Sequence, residues 1–238
     1  MAIDKIMQTP DEAVADIFDG ATVGTSCWAM EIMSPTNLLR ALARKGPKGL
    51  TVVSHGLGLG EKFKAPGVPW YVNYGILVER GMVKRLICGY PFHPGLETPA
   101  SREWKAGKLD VENVPHGTLA ARLWAAGAGV GGVYVKTGVG TEVEKGKEKR
   151  EINGEEYILE LPLRLDFAII RAWKADRYGN LVYRGVGRAT SPVYAKAAKV
   201  VIAEVDEVVE PGALDPEHIV TPGIYVHRVV KRSAKDHE

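Results

Sequence analysis

Six histidines, two cysteines and 27 glycines are where this 238-residue chain concentrates residues able to do chemistry. His55 ends the strand-like run LTVVSHG, and His116 opens the helical pattern HGTLAARLWAAGAG. A neutral imidazole donates one hydrogen bond and accepts another, and its pKa also lets it serve as a general base or a cation near neutral pH. The other four are placed less tellingly: His93 in a proline loop, His218 in LDPEHIV, His227 on a strand-like run and His237 in the tail. No pair among them has metal-ligand spacing. Cys27 and Cys88 lie far apart and are read as reduced thiols of a cytoplasmic protein, a disulfide being the alternative. Glu97, in YPFHPGLETP, is a loop acid without a glycine frame and reads as a solvated or substrate-rim residue.

The glycines pose a sharper question. AAGAGVGGVYVKTGVGT (125–141) contains a G-x-G-x-x-G at Gly127, Gly129 and Gly132. A dinucleotide fingerprint must follow a strand and open a helix, so that the pyrophosphate meets the helix N-terminus. Here a helix runs into the glycines and a strand follows them, which presents carbonyls and repels phosphate. The run therefore reads as a helix cap followed by a close crossing of backbones. TGVGT (137–141), after the strand, stays a candidate for lining a site.

Around these residues, helix and strand signals alternate. Helices are expected over 10–18, 34–46, 99–108, 116–129 and 191–199, four of them opening on Thr-Pro or Ser-Pro. Strands are expected over 21–26, 50–56, 83–90, 132–136, 166–176, 180–184, 200–209 and 223–230. Asn153-Gly154 between two strand-like runs predicts a hairpin over 149–161. The fold class is α/β: an open, mostly parallel sheet with helices on both faces and an antiparallel hairpin insertion, expected as one domain over 1–238. A net charge of +2, from 31 basic and 29 acidic residues, gives no bulk field for nucleic acid. No apolar stretch approaches a membrane span, and the N-terminus lacks the apolar core of a signal peptide.

From Val114 to Arg228 the stretches VPHGTLAARLWAAGAGVGGVYVKTGVGT, GKEKREINGEEYILELPLRLDFAIIRAWKADRYGNLVYR and AAKVVIAEVDEVVEPGALDPEHIVTPGIYVHRVV resemble the A (alpha) chain of the family I coenzyme A transferases, of the 3-oxoacid and 3-oxoadipate type. The resemblance implies a partner B (beta) chain of similar fold whose glutamate attacks the acyl-CoA thioester. The substrates would be an acyl-CoA and a carboxylic acid, with coenzyme A as substrate and no permanently bound cofactor. No catalytic nucleophile is then expected in this chain. Its share would be neutral donors that stabilise charge on the acyl oxygen.

Each family loop is met with a departure. The glycine-rich loop after the first strand places Ser26 and Cys27 where paired glycines stand, with Trp28 and Pro35 matching. Ser54-His55-Gly56 replaces Ser-Asn-Asn, and Pro115-His116-Gly117 replaces Pro-Gln-Gly. The expected site lining is thus Ser26, Cys27, His55, Gly56, His116 and Gly117. Two histidines in place of two amides either conserve a hydrogen bond and reshape the substrate pocket, or introduce a base for water or a cation for a carboxylate. Thioester hydrolysis with His55 or His116 as base is the first alternative, and a non-catalytic sensor of acyl-CoA or sugar phosphate the second. Trp70, Tyr71 and Tyr74, in a loop between 57 and 80, are expected either to wall an acyl group or to cover a subunit interface.

Overall fold

Short apolar runs that bury both of their faces pair in parallel and form the main sheet. The computed structural model describes residues 4–27, 34–61 and 72–233; Trp28, Trp70, Tyr71 and His237 lie outside the described residues. The strands are β1 (Ile6–Met7), β2 (Thr22–Thr25), β3 (Leu50–Ser54), β4 (Val83–Cys88), β5 (Asp110–Asn113), β6 (Val133–Val135), β7 (Lys149–Ile152), β8 (Glu155–Glu160), β9 (Leu165–Asp176), β10 (Leu181–Val182), β11 (Ala198–Val209) and β12 (Arg228–Lys231). The described helices are α1 (Pro10–Ala13), α2 (Thr36–Lys45), α3 (Gly75–Glu79), α4 (Pro99–Lys105), α5 (His116–Ala128) and α6 (Ser191–Ala197). The main sheet runs β1-β12-β11-β9-β2-β3-β4-β5, every neighbour parallel, with β10 folding back antiparallel on β9.

One face carries α1 to α4 over a core that includes Val23, Leu38, Leu42, Val52, Ile76, Leu86 and Phe167. The other carries α5 and α6 over Val53, Leu119, Leu123, Ala168, Ile170 and Val205. Helices thus cover both faces, as the alternating pattern predicts. The Asn-Gly hairpin forms between β7 and β8, with Asn153 at φ 53° and Gly154 at φ 78°, the two positive angles such a turn requires. β6 pairs with β8 in the same small antiparallel sheet.

Several boundaries differ from the sequence expectation, each beside a contact made from elsewhere in the chain. The first helix stops at Ala13 instead of 18, and beyond it Asp16 takes two hydrogen bonds from Arg228. Ser34-Pro35 does not cap α2: the Ser34 hydroxyl donates to the Val72 carbonyl at 2.5 Å. The last strand shortens to Arg228–Lys231 because Gly223 sits against the Tyr178 carbonyl and donates its N–H to Asn180 Oδ1 at 2.7 Å. β1, the polar edge strand β5 and the one-turn α3 carry too little periodicity to be read beforehand.

Gly127 lies inside α5, where a Cβ would stand 2.8 Å from the Lys196 carbonyl of α6, and Gly129 ends the helix at φ 70°. The glycine run is a backbone crossing and a cap, as its order implies. TGVGT is another matter. It follows β6, which belongs to the small antiparallel sheet, so it does not occupy the ligand-binding edge of the parallel one. Its Gly138 packs on Val143, and its Gly140 N–H donates to Glu144 at 2.5 Å.

Candidate active site

Register brings four strand ends into one row. Thr25 pairs with Ser54, Ser54 with Cys88, and Cys88 with Asn113. The residues that follow are Ser26-Cys27 after β2, His55-Gly56 after β3, Gly89 after β4 and His116 at the first position of α5. This is the carboxyl edge of a parallel sheet, where open α/β folds place their ligands.

At that edge the two histidines meet. Their ring centroids are 5.7 Å apart at 27°, a stacked pair. His55 Nδ1 lies 2.8 Å from the Tyr194 hydroxyl, and that ring meets the imidazole edge-on at 5.5 Å. Glycine makes room for both contacts. A Cβ on Gly24 would stand 2.7 Å from the Tyr194 ring, and one on Gly89 would stand 2.0 Å from His116 Nδ1. His55 is 2% exposed, whereas His116 is half-buried and Gly117 lies beside it at the helix start. Burial first, and the adjacent His116 second, hold the His55 pKa down to about 4, so its ring is neutral at physiological pH. Burial lifts the Tyr194 phenol well above its usual range, so the hydroxyl keeps its proton.

The other expected residues are structural supports of this edge. The Ser26 hydroxyl bonds the Ser191 hydroxyl at 2.7 Å and ties the end of β2 to the start of α6. The Cys27 side chain turns inward, 3.2 Å from Thr25 Oγ1 and 3.8 Å from Ser34 Oγ. Gly56 contributes its carbonyl, which accepts from the Tyr74 hydroxyl at 2.8 Å and the Cys88 thiol at 3.3 Å. Tyr74 therefore belongs to the core beneath the site and walls no acyl group. Both thiols are free and buried; desolvation raises Cys27 and pushes Cys88 up to about 11, so neither is a poised thiolate. Sequence reasoning missed Tyr194, Ser191 and Cys88, because a tyrosine within SPVYAKAAK carries no signal that its hydroxyl reaches His55, 139 residues away.

A second, charged cluster occupies the same edge on the α2 face. Glu204 of β11, fully buried, accepts the N–H groups of Asn37 at 2.9 Å and Leu38 at 3.1 Å and so caps α2 from a distance. Burial raises its carboxyl to about 7, opposed by the Leu38 N–H, Arg232 and Arg171. Arg171 donates to Asp206 at 2.7 Å. A cavity of about 410 Å³ opens beside this cluster, with Arg171, Trp173, Tyr183 and Arg184 among its walls. Glu97 is exposed and lines a different cavity of about 450 Å³ with Phe92, His93 and Trp104. Among the described residues no group of three His, Cys, Asp or Glu converges as a metal site, and no helix is long and apolar enough to cross a membrane.

A family model described as coenzyme A transferase matches residues 7–232. The chain is 42% identical over 228 residues to the A chain of 3-oxoadipate CoA-transferase from Pseudomonas putida, covering 96% of this chain and 94% of that one. It is 39% identical over 232 residues to the A chain of a probable succinyl-CoA:3-ketoacid coenzyme A transferase from Bacillus subtilis, covering 98% and 92%. Among solved structures it is similar to the apoenzyme of an acyl-CoA transferase from Escherichia coli O157:H7, with a TM-score of 0.81 and 26% identity. The match covers 98% of this chain and 48% of that one, so this chain spans about half the length of that transferase.

Proposed function

This chain belongs to the coenzyme A transferase family, and from that premise we propose that it is the alpha chain of a heteromeric enzyme of the 3-oxoacid type. The whole chain acts as one domain, in the cytoplasm, and pairs with a beta chain, the B subunit, that carries the nucleophilic glutamate. Coenzyme A passes between an acyl-CoA and a carboxylic acid and is not held as a resident cofactor. The observation that carries this reading is the chemistry of the carboxyl edge. Residues 25–27, 54–56, 88–90 and 113–117 hold hydroxyls, thiols, imidazoles and glycines, and no carboxylate. Glu204, on the same edge toward α2, is fully buried and taken up by the N–H groups of Asn37 and Leu38, so a reaction here takes its nucleophile from elsewhere.

In that reaction the partner's carboxylate adds to the thioester carbonyl, the C–S bond breaks and an acyl-glutamyl anhydride forms. The departing thiolate then attacks the glutamyl carbonyl, which yields a glutamyl thioester and the free acid. Each addition builds negative charge on a carbonyl oxygen, and preorganised donors lower that barrier. His116, at the first position of a 13-residue helix, offers its imidazole where the helix dipole is positive. His55 stands behind it.

The test is co-purification of this chain with its B subunit, followed by an assay of succinyl-CoA with 3-oxoadipate or a 3-oxo acid as acceptor. Appearance of the acceptor's CoA thioester supports the reading. Free CoA released without any acceptor would replace it with thioester hydrolysis. A stable homo-oligomer without transfer or hydrolysis would leave acyl-CoA sensing.

A further inference from the structure

The Tyr194–His55 contact has two chemical forms. Either the phenol donates to Nδ1, or Nδ1–H donates to the phenol oxygen. Tyr194 is fully buried, and among the described residues its hydroxyl has one hydrogen-bonding neighbour, His55 Nδ1 at 2.8 Å. In the second form the phenol proton is left in the core with nothing to accept it, and the buried Nε2 lone pair is unpartnered as well. An unmade buried polar group carries its full desolvation cost, and this form holds two. The first form holds one, Nε2–H, and the backbone of His116 lies where it favours a proton on the His55 ring. The count therefore favours a phenol that donates and an imidazole protonated at Nε2.

The position of the phenol is over-determined. Gly24 supplies the space in which its ring lies, and the Ser26–Ser191 bond fixes the start of α6 one turn before it. Resting on the functional reading above, we propose that Tyr194 is a positioning residue acting through His55. Its hydroxyl donates to Nδ1, holds the ring as the Nε2–H tautomer, and makes it a neutral wall on which the substrate-side His116 stacks. An imidazole that accepts at Nδ1 and bears hydrogen at Nε2 has a single basic lone pair, and here that lone pair faces the buried phenol and not the substrate side. His55 is thereby excluded as a general base, and any proton transfer to this chain at the histidine pair goes to His116.

The test uses the complex of both subunits with 15N-labelled histidine in this chain, the His55 resonances being identified by their loss in His55→Asn. The expected wild-type spectrum has Nδ1 of His55 in the unprotonated range and Nε2 in the protonated range. Tyr194→Phe is expected to mix the tautomers and to lower kcat for CoA transfer about tenfold, with KM for succinyl-CoA within about twofold. In the His55→Asn background the same Tyr194→Phe change is expected to alter kcat by less than about twofold, because the hydroxyl then has nothing to position. A wild-type Nδ1–H tautomer overturns the proposal, and so does an equal loss of kcat in both backgrounds. The wild-type spectrum decides the tautomer even where a variant does not assemble. A complex with the expected tautomer but no CoA transfer would sink the functional reading and leave the Tyr194–His55 tautomer standing.

Discussion

Glu204 and His55 are both buried at the carboxyl edge of one sheet, Glu204 toward α2 and His55 toward α6. Around Glu204 the partners are charged or dipolar: two helix N–H groups, Arg232 at 3.9 Å, and Arg171 with its own Asp206. Around His55 they are neutral, a phenol and a second imidazole. The charged cluster closes on itself and holds α2 in place. The neutral cluster leaves its own stretch of the edge free of resident charge, which suits a site where an oxyanion develops and a carboxylate arrives from a partner. Burial by itself separates architecture from chemistry poorly; the charge of the partners separates them better.

The sharpest way to break that contrast is to remove Glu204. Glu204→Leu strips the long-range cap from α2, so that two N–H groups lose their acceptor, and leaves Arg232 to Asp206 alone; urea unfolding should show a loss of about 2–5 kcal/mol. A loss below about 1 kcal/mol would mean that the charged cluster is not the architectural one.

The two groups should also bend the pH profile of stability in opposite directions. His55 has its pKa lowered from 6.5 to about 4, so its neutral burial contributes fully above 6.5 and the contribution is lost as pH falls toward 4, roughly 3 kcal/mol in all. Glu204 has its carboxyl raised from 4.5 to about 7, so its contribution is complete below 4.5 and is lost as pH rises through 7. The two opposed slopes share the interval from about pH 4.5 to 6.5, so urea midpoints across it should tilt downward with rising pH in His55→Gln and upward in Glu204→Gln, relative to the wild type. A tilt of the same sign in both variants would collapse the distinction.

Two glycine substitutions separate packing from positioning within the neutral cluster. Gly24→Ala drives a methyl to 2.4 Å from Leu165 and 2.7 Å from Tyr194, both in the core, and should cost about 1–3 kcal/mol. Gly89→Ala meets the movable imidazole of His116 at 2.0 Å. It should cost under about 1 kcal/mol yet cut kcat at least about tenfold by displacing that ring. Equal effects on stability and kcat in the two variants would show His116 to be a packing residue.

The smallest effect belongs to charges away from the edge. Lys136 and Glu155 form an ion pair on the small sheet with both side chains more than half exposed. Lys136→Ala should therefore leave the urea-unfolding midpoint unchanged within the error of the measurement.

Much of the architecture was legible because its signals are local. The parallel strands announce themselves as apolar runs, the Asn153-Gly154 hairpin by a dipeptide suited to two positive φ angles, and the false dinucleotide fingerprint by its order after a helix. Signals that are not local were missed: β5 is polar and marginal, and α2, itself legible as a helix, takes its cap from Glu204, 167 residues from Asn37. TGVGT was misplaced because nothing in the segment says which sheet β6 joins.

For the site, the sequence by itself determined the chemical inventory: two imidazoles, hydroxyls and glycines at strand ends, with no carboxylate among them. It also determined the family, through residues whose types recur along almost the whole chain. Only the tertiary structure decided which groups face the edge and which turn away from it. Side-chain direction at a strand end depends on what packs against it, so Cys27 faces the core, Ser26 holds α6, and Tyr194 arrives from a distant helix to meet His55. Those contacts are made across the fold, and a hydrogen bond between residues 139 apart has no trace in the chain until the sheet has brought its strands together.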